Sequence, residues 1–172
     1  MNRVLVIGPG GAGKSQFARA LGASTGLPVT HLDAQYWGPG WVPRAREAWS
    51  AQVATLLAGE QWILDGNFGG TMQQRIRACD TVIFLDLPRL VCLRRVLWRW
   101  WTYRGRSRPD MPPHCHERLD AEFLHWIWTY PRARRPSVLQ RLSDAGPAVR
   151  VVRLRSTRAV AAFLAAPQAP TN

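Results

Sequence analysis

Lysine is nearly missing from this 172-residue sequence: of 23 basic side chains, every one except Lys14 is an arginine. Cysteine is scarce as well, and Cys79, Cys92 and Cys115 are too few and too scattered for a disulfide framework or a zinc ribbon. Acidic residues number only 11, which leaves a formal net charge of +12. No apolar run approaches the ~18 residues that a membrane-crossing helix needs. The apolar start, Arg3–Ile7, runs straight into glycines and shows no cleavage region. A secreted disulfide scaffold and a membrane protein are thereby excluded, and a soluble cytoplasmic protein is the expectation.

What is present is enough for a core. Hydrophobic residues make up 47% of the chain and charged residues 20%, a globular balance. The charge is lopsided: residues 1–86 carry seven basic and six acidic side chains, and residues 87–172 carry sixteen and five. The second half therefore meets anions, with nucleotide phosphates, nucleic acid and an anionic membrane surface as the candidates.

Short apolar runs rich in β-branched residues predict strands at 3–7, 29–32, 62–64, 81–85 and 149–154. Helical spacing occupies 15–21, 44–58, 71–77, 90–101, 117–128, 136–142 and 157–164. Strands alternating with helices give an α/β fold, a parallel sheet covered on both faces, in one domain over 1–165. Two segments break the alternation. Residues 35–43, with Trp37, Gly38, Pro39, Gly40 and Trp41, read as neither regular helix nor strand. Residues 103–116 carry Arg104, Arg106, Arg108 and three prolines and read as a lid. The tail 166–172 is expected to fray.

The chemistry starts at Gly8-Pro9-Gly10-Gly11-Ala12-Gly13-Lys14-Ser15, which fits G-x-x-x-x-G-K-[ST] at every fixed position. Small residues let the backbone curl so that successive N–H groups point at phosphate oxygens. The following helix presents its positive end to the same anion. Lys14 then reaches the β and γ phosphates and the Ser15 hydroxyl ligates Mg²⁺, with Gln16 next along the helix. ATP and Mg²⁺ are the cofactors this pattern calls for, bound through Gly8, Gly10, Gly11, Ala12, Gly13, Lys14, Ser15 and Gln16.

From here the chain resembles small P-loop kinases built like adenylate kinase, in particular proteins labelled adenylate kinase-like or DNA topology modulation proteins. The residues that carry the resemblance are the 8–15 loop, His31-Leu32-Asp33-Ala34-Gln35-Tyr36-Trp37, Asp65-Gly66-Asn67-Phe68 and Phe84-Leu85-Asp86-Leu87-Pro88. The run from Arg104 to Asp110 and the pair Arg155-Ser156 add to it. The likeness implies a P-loop NTPase with a five-stranded parallel sheet ordered 2-3-1-4-5 and an arginine-rich lid between strands 4 and 5. It also implies a phosphotransferase that moves the γ-phosphoryl of Mg·ATP to a small-molecule or nucleotide acceptor. The alternative is a nucleic-acid-binding ATPase of regulatory function.

Asp33, Asp65 and Asp86 each follow a predicted strand, the side of an open parallel sheet where ligands bind. Asp33, with Tyr36 three residues on, resembles the Asp-x-x-aromatic element of uridine kinase-type enzymes, which implies a carboxylate at the acceptor hydroxyl. Asp65-Gly66 resembles the Asp-Gly after strand 3 of adenylate kinase and implies a place in the Mg²⁺ shell beside Ser15. Asn67-Phe68 departs from the aromatic-Pro-Arg continuation there, and Arg75 lies too far on to stand in for its arginine. Asp86 ends a Walker B-like run but ranks below the other two. The spacing from Pro88 implies Arg95 at the nucleotide base and Arg99 near the phosphates. Arg104 and Arg108 are the lid arginines expected to close on phosphate. Arg155 is expected at the adenine.

Other patterns carry less. His114-Cys115-His116 lacks the second ligand pair a zinc site needs. Trp98, Trp100 and Trp101 interleave with arginines, a pattern that can stack bases of single-stranded nucleic acid but on a helix reads first as core on one face and snorkelling arginines on the other. Trp37 and Trp41 are candidates for an acceptor pocket wall.

Lys14→Ala is expected to abolish phosphoryl transfer without loss of fold, and Lys14→Arg to fail as well, because a planar fork does not replace a compact point charge. Turnover with labelled ATP, read beside the circular dichroism spectrum, checks both; wild-type turnover in either variant contradicts the assignment.

Overall fold

Alternation along the strands decides the architecture. In β1 (Arg3–Ile7) Val4 and Val6 face one core layer, and Leu5 and Ile7 face the other. The same split recurs in β5 (Trp62–Asp65), with Ile63 against Trp62 and Leu64, and in β6 (Thr81–Leu85), with Ile83 and Leu85 against Val82 and Phe84. A strand buried on both sides needs a covering layer on each, which parallel crossover connections supply. The computed structural model, which describes residues 1–105, 115 and 119–166, has that arrangement.

Five strands form the main sheet: β1, β2 (Val29–His31), β5, β6 and β7 (Arg150–Leu154), all parallel, in the order β2-β5-β1-β6-β7. Counting main-sheet strands alone, this is the expected 2-3-1-4-5. On one face lie α1 (Lys14–Thr25), α5 (Arg89–Tyr103), α6 (Ala121–Ala133) and α8 (Thr157–Ala165). Phe17, Leu21, Cys92, Val96 and Ile127 are their buried contributions. On the other face α3 (Arg46–Leu57), α4 (Met72–Ala78) and α7 (Arg135–Ser143) bring in Trp49, Val53, Met72, Ile76 and Leu142. Asp80 pins the start of the central strand, accepting from the backbone N–H of Asn2 at 2.7 Å and of Arg3 at 2.8 Å. No helix of the described residues is long and apolar enough to cross a membrane.

Several boundaries differ from expectation for identifiable reasons. The second strand ends at His31, and Leu32 opens a short helix, α2 (Leu32–Tyr36), because its side chain is fully buried against the sheet. Residues 35–43 are not wholly irregular. Tyr36 closes α2, then β3 (Trp37–Gly38) and β4 (Val42–Pro43) pair antiparallel around a 3₁₀ turn, Pro39–Trp41. The Arg44 N–H donates to the Tyr36 carbonyl at 3.0 Å, and the Trp37 and Trp41 rings meet edge-on at 5.6 Å. Helix α6 starts at Ala121 because the Asp120 side chain caps it, accepting from the N–H groups of Glu122 and Phe123. It then continues past the expected Trp128 through Pro131; burial of Ile127 and Tyr130 offsets the bond that proline cannot make.

The tryptophans of α5 correct the expectation of a core face. That helix turns Cys92 and Val96 inward, while Trp98 and Trp101 are 71% and 69% exposed. The expected lid begins inside α5 at Tyr103; of its other residues only Arg104, Gly105 and Cys115 are described. Arg106, Arg108, His114 and His116 lie outside the described residues, as do residues 167–172 of the tail. The buried Cys115 thiol donates to the Gly38 carbonyl at 3.3 Å, tying that end of the segment to the hairpin.

Phe84 is fully buried in the second strand from the sheet edge. Phe84→Ala is expected to cost about 3–5 kcal/mol of stability. Urea unfolding measures it, and an unchanged midpoint contradicts this account of the core.

Candidate functional site

The phosphate-binding pattern sits between the carboxyl end of β1 and α1, where its chemistry requires it. Two glycines there are steric necessities. A methyl group on Gly8 would lie 2.6 Å from the Leu85 carbonyl oxygen, and one on Gly11 would lie 2.3 Å from the Cys92 carbonyl oxygen. Gly11 also holds φ at +77°, where side chains are strained. The loop carries the mark of an anion cradle. Helix α1 has no side-chain cap, and the N–H groups of Gly11, Gly13, Lys14 and Ser15 donate to no backbone carbonyl among the described residues. Unpartnered N–H groups at a helix start fit a phosphate chain. The Lys14 ammonium folds across its own loop, donating to the Pro9 carbonyl at 3.3 Å.

This loop opens on a cleft of about 690 Å³, within the usual range for small-molecule sites. Gly10, Gly11, Gly13, Lys14, Ser15 and Gln16 line its floor. Arg19, Arg95, Arg99 and Trp98 come from α1 and α5; Asp120, Phe123 and Trp126 come from the start of α6. Opposite, Asp33, Trp37, Trp41, Asn67 and Phe68 complete the wall. Asp33 lies in the first turn of α2, which follows β2 directly. The aromatic wall is continuous: Phe68 packs on Tyr36 at 4.8 Å and on Trp49 at 4.9 Å, and Tyr36 meets Trp37 at 4.8 Å.

Of the residues expected on the cofactor side, Gly8 and Ala12 are structural parts of the loop. The Asn67 amide brackets Gly8, accepting from its N–H at 3.1 Å and donating to its carbonyl at 2.7 Å. Arg95 donates to the Ala12 carbonyl at 2.8 Å, so one guanidinium both braces the loop and lines the cleft. Arg99 lines the cleft four residues further on, whereas Arg104 lies over the Trp100 ring at 5.5 Å and Arg155 is exposed after β7; neither lines the cleft.

The three strand-end carboxylates separate. Asp33 reaches the cleft. Asp65 is 1% exposed, does not line the cleft, and accepts a 2.6 Å hydrogen bond from His31 Nδ1, joining the ends of β2 and β5. Asp86 is taken by Arg153, whose Nε and Nη2 donate to one oxygen at 2.8 and 2.6 Å, with Arg135 at 3.6 Å. Cys79 and Cys92 are buried, and burial pushes their thiols up to about 12 and about 11, away from nucleophilic use. Among the described residues no group of three His, Cys, Asp or Glu side chains could hold a metal ion by itself.

Sequence reasoning set Arg75 aside and gave Asn67 no role. Both are central to the loop after β5. No periodicity signals a buried arginine; the one clue was its place on the inward face of a short helix beside Ile76.

The whole fold is similar to that of several solved kinases. A shikimate kinase from Acinetobacter baumannii, in complex with shikimate, aligns with a TM-score of 0.62 at 16% identity, over 95% of this chain and 89% of that one. A sugar kinase from Janibacter aligns at 0.51 and 18%, covering 95% and 92%. A shikimate kinase from Bacteroides thetaiotaomicron aligns at 0.55 and 15%, covering 95% and 94%. No family profile and no curated protein sequence matches the chain. At these identities the finding is the fold alone: an α/β domain with a five-stranded parallel sheet, shared with these kinases.

Gly11→Ala is expected to abolish binding of an ATP analogue, since the added methyl meets the Cys92 carbonyl and the backbone is held at positive φ. Calorimetric titration beside a thermal melt checks this; an unchanged affinity contradicts the loop geometry.

Proposed function

We propose that the chain is an ATP-dependent phosphotransferase whose acceptor is a small hydroxylated molecule. The observation that carries the reading is the juxtaposition, across one cleft, of the phosphate loop with Asp33 and the Trp37–Trp41 wall. Bound Mg·ATP supplies the phosphoryl group and partial neutralisation of its charge. The unpartnered N–H groups of the loop and Lys14 would hold the phosphates, and the Ser15 hydroxyl would supply the protein's ligand to the metal. Arg99 stabilises charge on the transferring group, and Arg95 keeps the loop in shape beneath the base. Asp33 orients the acceptor hydroxyl and takes its proton as the new P–O bond forms and the bond to the β-phosphate breaks. Trp37 and Trp41 give the acceptor an apolar face, which suits a hydroxylated ring. The shikimate and sugar named for the similar structures are molecules of that kind.

In this reading Asp65 supports the site from beneath by orienting His31 and stands outside the metal's shell. As the adenylate kinase-like resemblance implies, Arg104 is the lid arginine directed to phosphate and Arg155 follows β7 at the adenine; Arg108, the other lid arginine of that resemblance, lies outside the described residues. A second reading has its own support: Trp98 and Trp101 are exposed beside Arg94, a surface on which bases of single-stranded nucleic acid could stack. DNA affinity that falls steeply with salt, with no phosphorylated small product, favours that reading.

A screen of sugars, polyols, hydroxy acids and nucleosides with labelled ATP tests the proposal, scoring product against ADP. With any accepted substrate, Asp33→Asn is expected to cut transfer by ~10²–10⁴-fold and to leave ATP affinity nearly unchanged. Full turnover in that variant contradicts the role of Asp33.

A further inference from the structure

Arg75 is fully buried, on α4, and is among the largest side chains with no exposure at all. No carboxylate among the described residues pairs with it. Its donors go to one loop instead: Nη1 to the Gly66 carbonyl at 2.8 Å, Nη2 to the carbonyls of Asn67 and of Phe68, the latter at 2.8 Å, and Nε to the side-chain hydroxyl of Thr71 at 3.3 Å. Burial pushes the guanidinium down to about 9. A charge kept in so unfavourable a place needs every one of those oxygens.

The grip has a direction. Three consecutive carbonyls turned onto one guanidinium fix a backbone that holds Phe68 at φ +33°, a conformation a bulky side chain rarely adopts, beside Gly66 at φ +140°, which glycine allows. Fixed in this way, the loop presents two side chains in opposite duties. The Asn67 amide closes a two-bond bracket on Gly8, the first residue of the phosphate loop. The Phe68 ring joins the aromatic wall of the cleft beside Tyr36 and Trp49.

We propose that Arg75 and Asn67 form a positioning relay that sets the acceptor wall against the phosphate loop. Arg75 locks the 66–68 backbone, and Asn67 transmits that lock to Gly8, so the two halves of the cleft share one spacing. Neither side chain takes part in bond making. Their effect is on alignment, where small displacements lower transfer steeply. The kinetic consequence rests on the phosphotransfer reading; the mechanical one does not.

The test therefore has two arms on the same variants, Asn67→Ala, Arg75→Met and their combination, in the full chain. The first arm is amide exchange of the Gly8 N–H followed by NMR, with no ligand present. Loss of the bracket is expected to speed that exchange by ~10-fold, as removal of one hydrogen bond does, in Asn67→Ala and equally in Arg75→Met. The combined variant is expected to be no faster than the singles, the non-additivity of residues in one chain of contacts. If Arg75→Met does not fold, Arg75→Lys, which keeps the charge and fewer of the bonds, is read in its place. Wild-type exchange at Gly8 in Asn67→Ala overturns the relay whatever the arginine variants do. Faster exchange confined to residues 66–71 in a folded arginine variant, with Gly8 unaffected, overturns it too, since Arg75 then serves only its own loop.

The second arm is the ratio of ATP spent on water to ATP spent on the acceptor. It is expected to rise ~10-fold in both single variants. An unchanged ratio overturns the relay's part in transfer. Altered Gly8 exchange in a protein that phosphorylates no acceptor keeps the relay and removes the phosphotransfer reading.

Discussion

Everything in the site hangs from the pairing of β1 on both its edges. β1 is bonded to β5 on one side and β6 on the other, and Val4 to Ile7 are without exposure. A strand so placed can neither fray nor slip, because a shift of one residue would exchange Val4 and Val6 with Leu5 and Ile7 between two filled layers. The loop that emerges from its end inherits that rigidity. A cradle of backbone N–H groups works only if it does not rearrange when the anion arrives, and here the strand, the Asn67 bracket and the Arg95 brace leave it little freedom.

The neighbouring strands extend the same logic outward. The adjacent ends of β2 and β5 are joined by the His31–Asp65 hydrogen bond, which steadies the point where α2 departs with Asp33. On the other side Arg153 of β7 engages Asp86, just after β6. The result is a row of strand ends tied by side chains on both flanks, with Asp33 the one of the three carboxylates turned to the cleft. Position after a strand made these aspartates look alike. Their partners make them different.

Much of this was legible in the sequence, and the limits have physical causes. The main strands were readable because burial on both faces leaves unbroken apolar runs, and the phosphate loop because its geometry tolerates few residues. Sheet order followed from the resemblance and not from local pattern. The hairpin after α2 was hidden by Gly38, Pro39 and Gly40, which mark a turn without saying that two residues on either side pair. The destiny of Asp65 and the importance of Arg75 were not legible, because both depend on hydrogen bonds between segments that no spacing rule connects. The exposed Trp98 and Trp101 ran against the expectation that large apolar side chains turn inward; two inward positions on α5, Cys92 and Val96, sufficed to seat the helix.

The aromatic richness of the cleft also gives the molecule an optical property. Trp37, Trp41, Trp98 and Trp126 stand on its walls, drawn from the hairpin, from α5 and from α6. Indole emission responds to the polarity and to the quenching groups around the ring, and these four rings sample three separate elements. Any molecule that fills the cleft displaces water from all of them at once, so the protein reports its own occupancy in ultraviolet light, with no label attached.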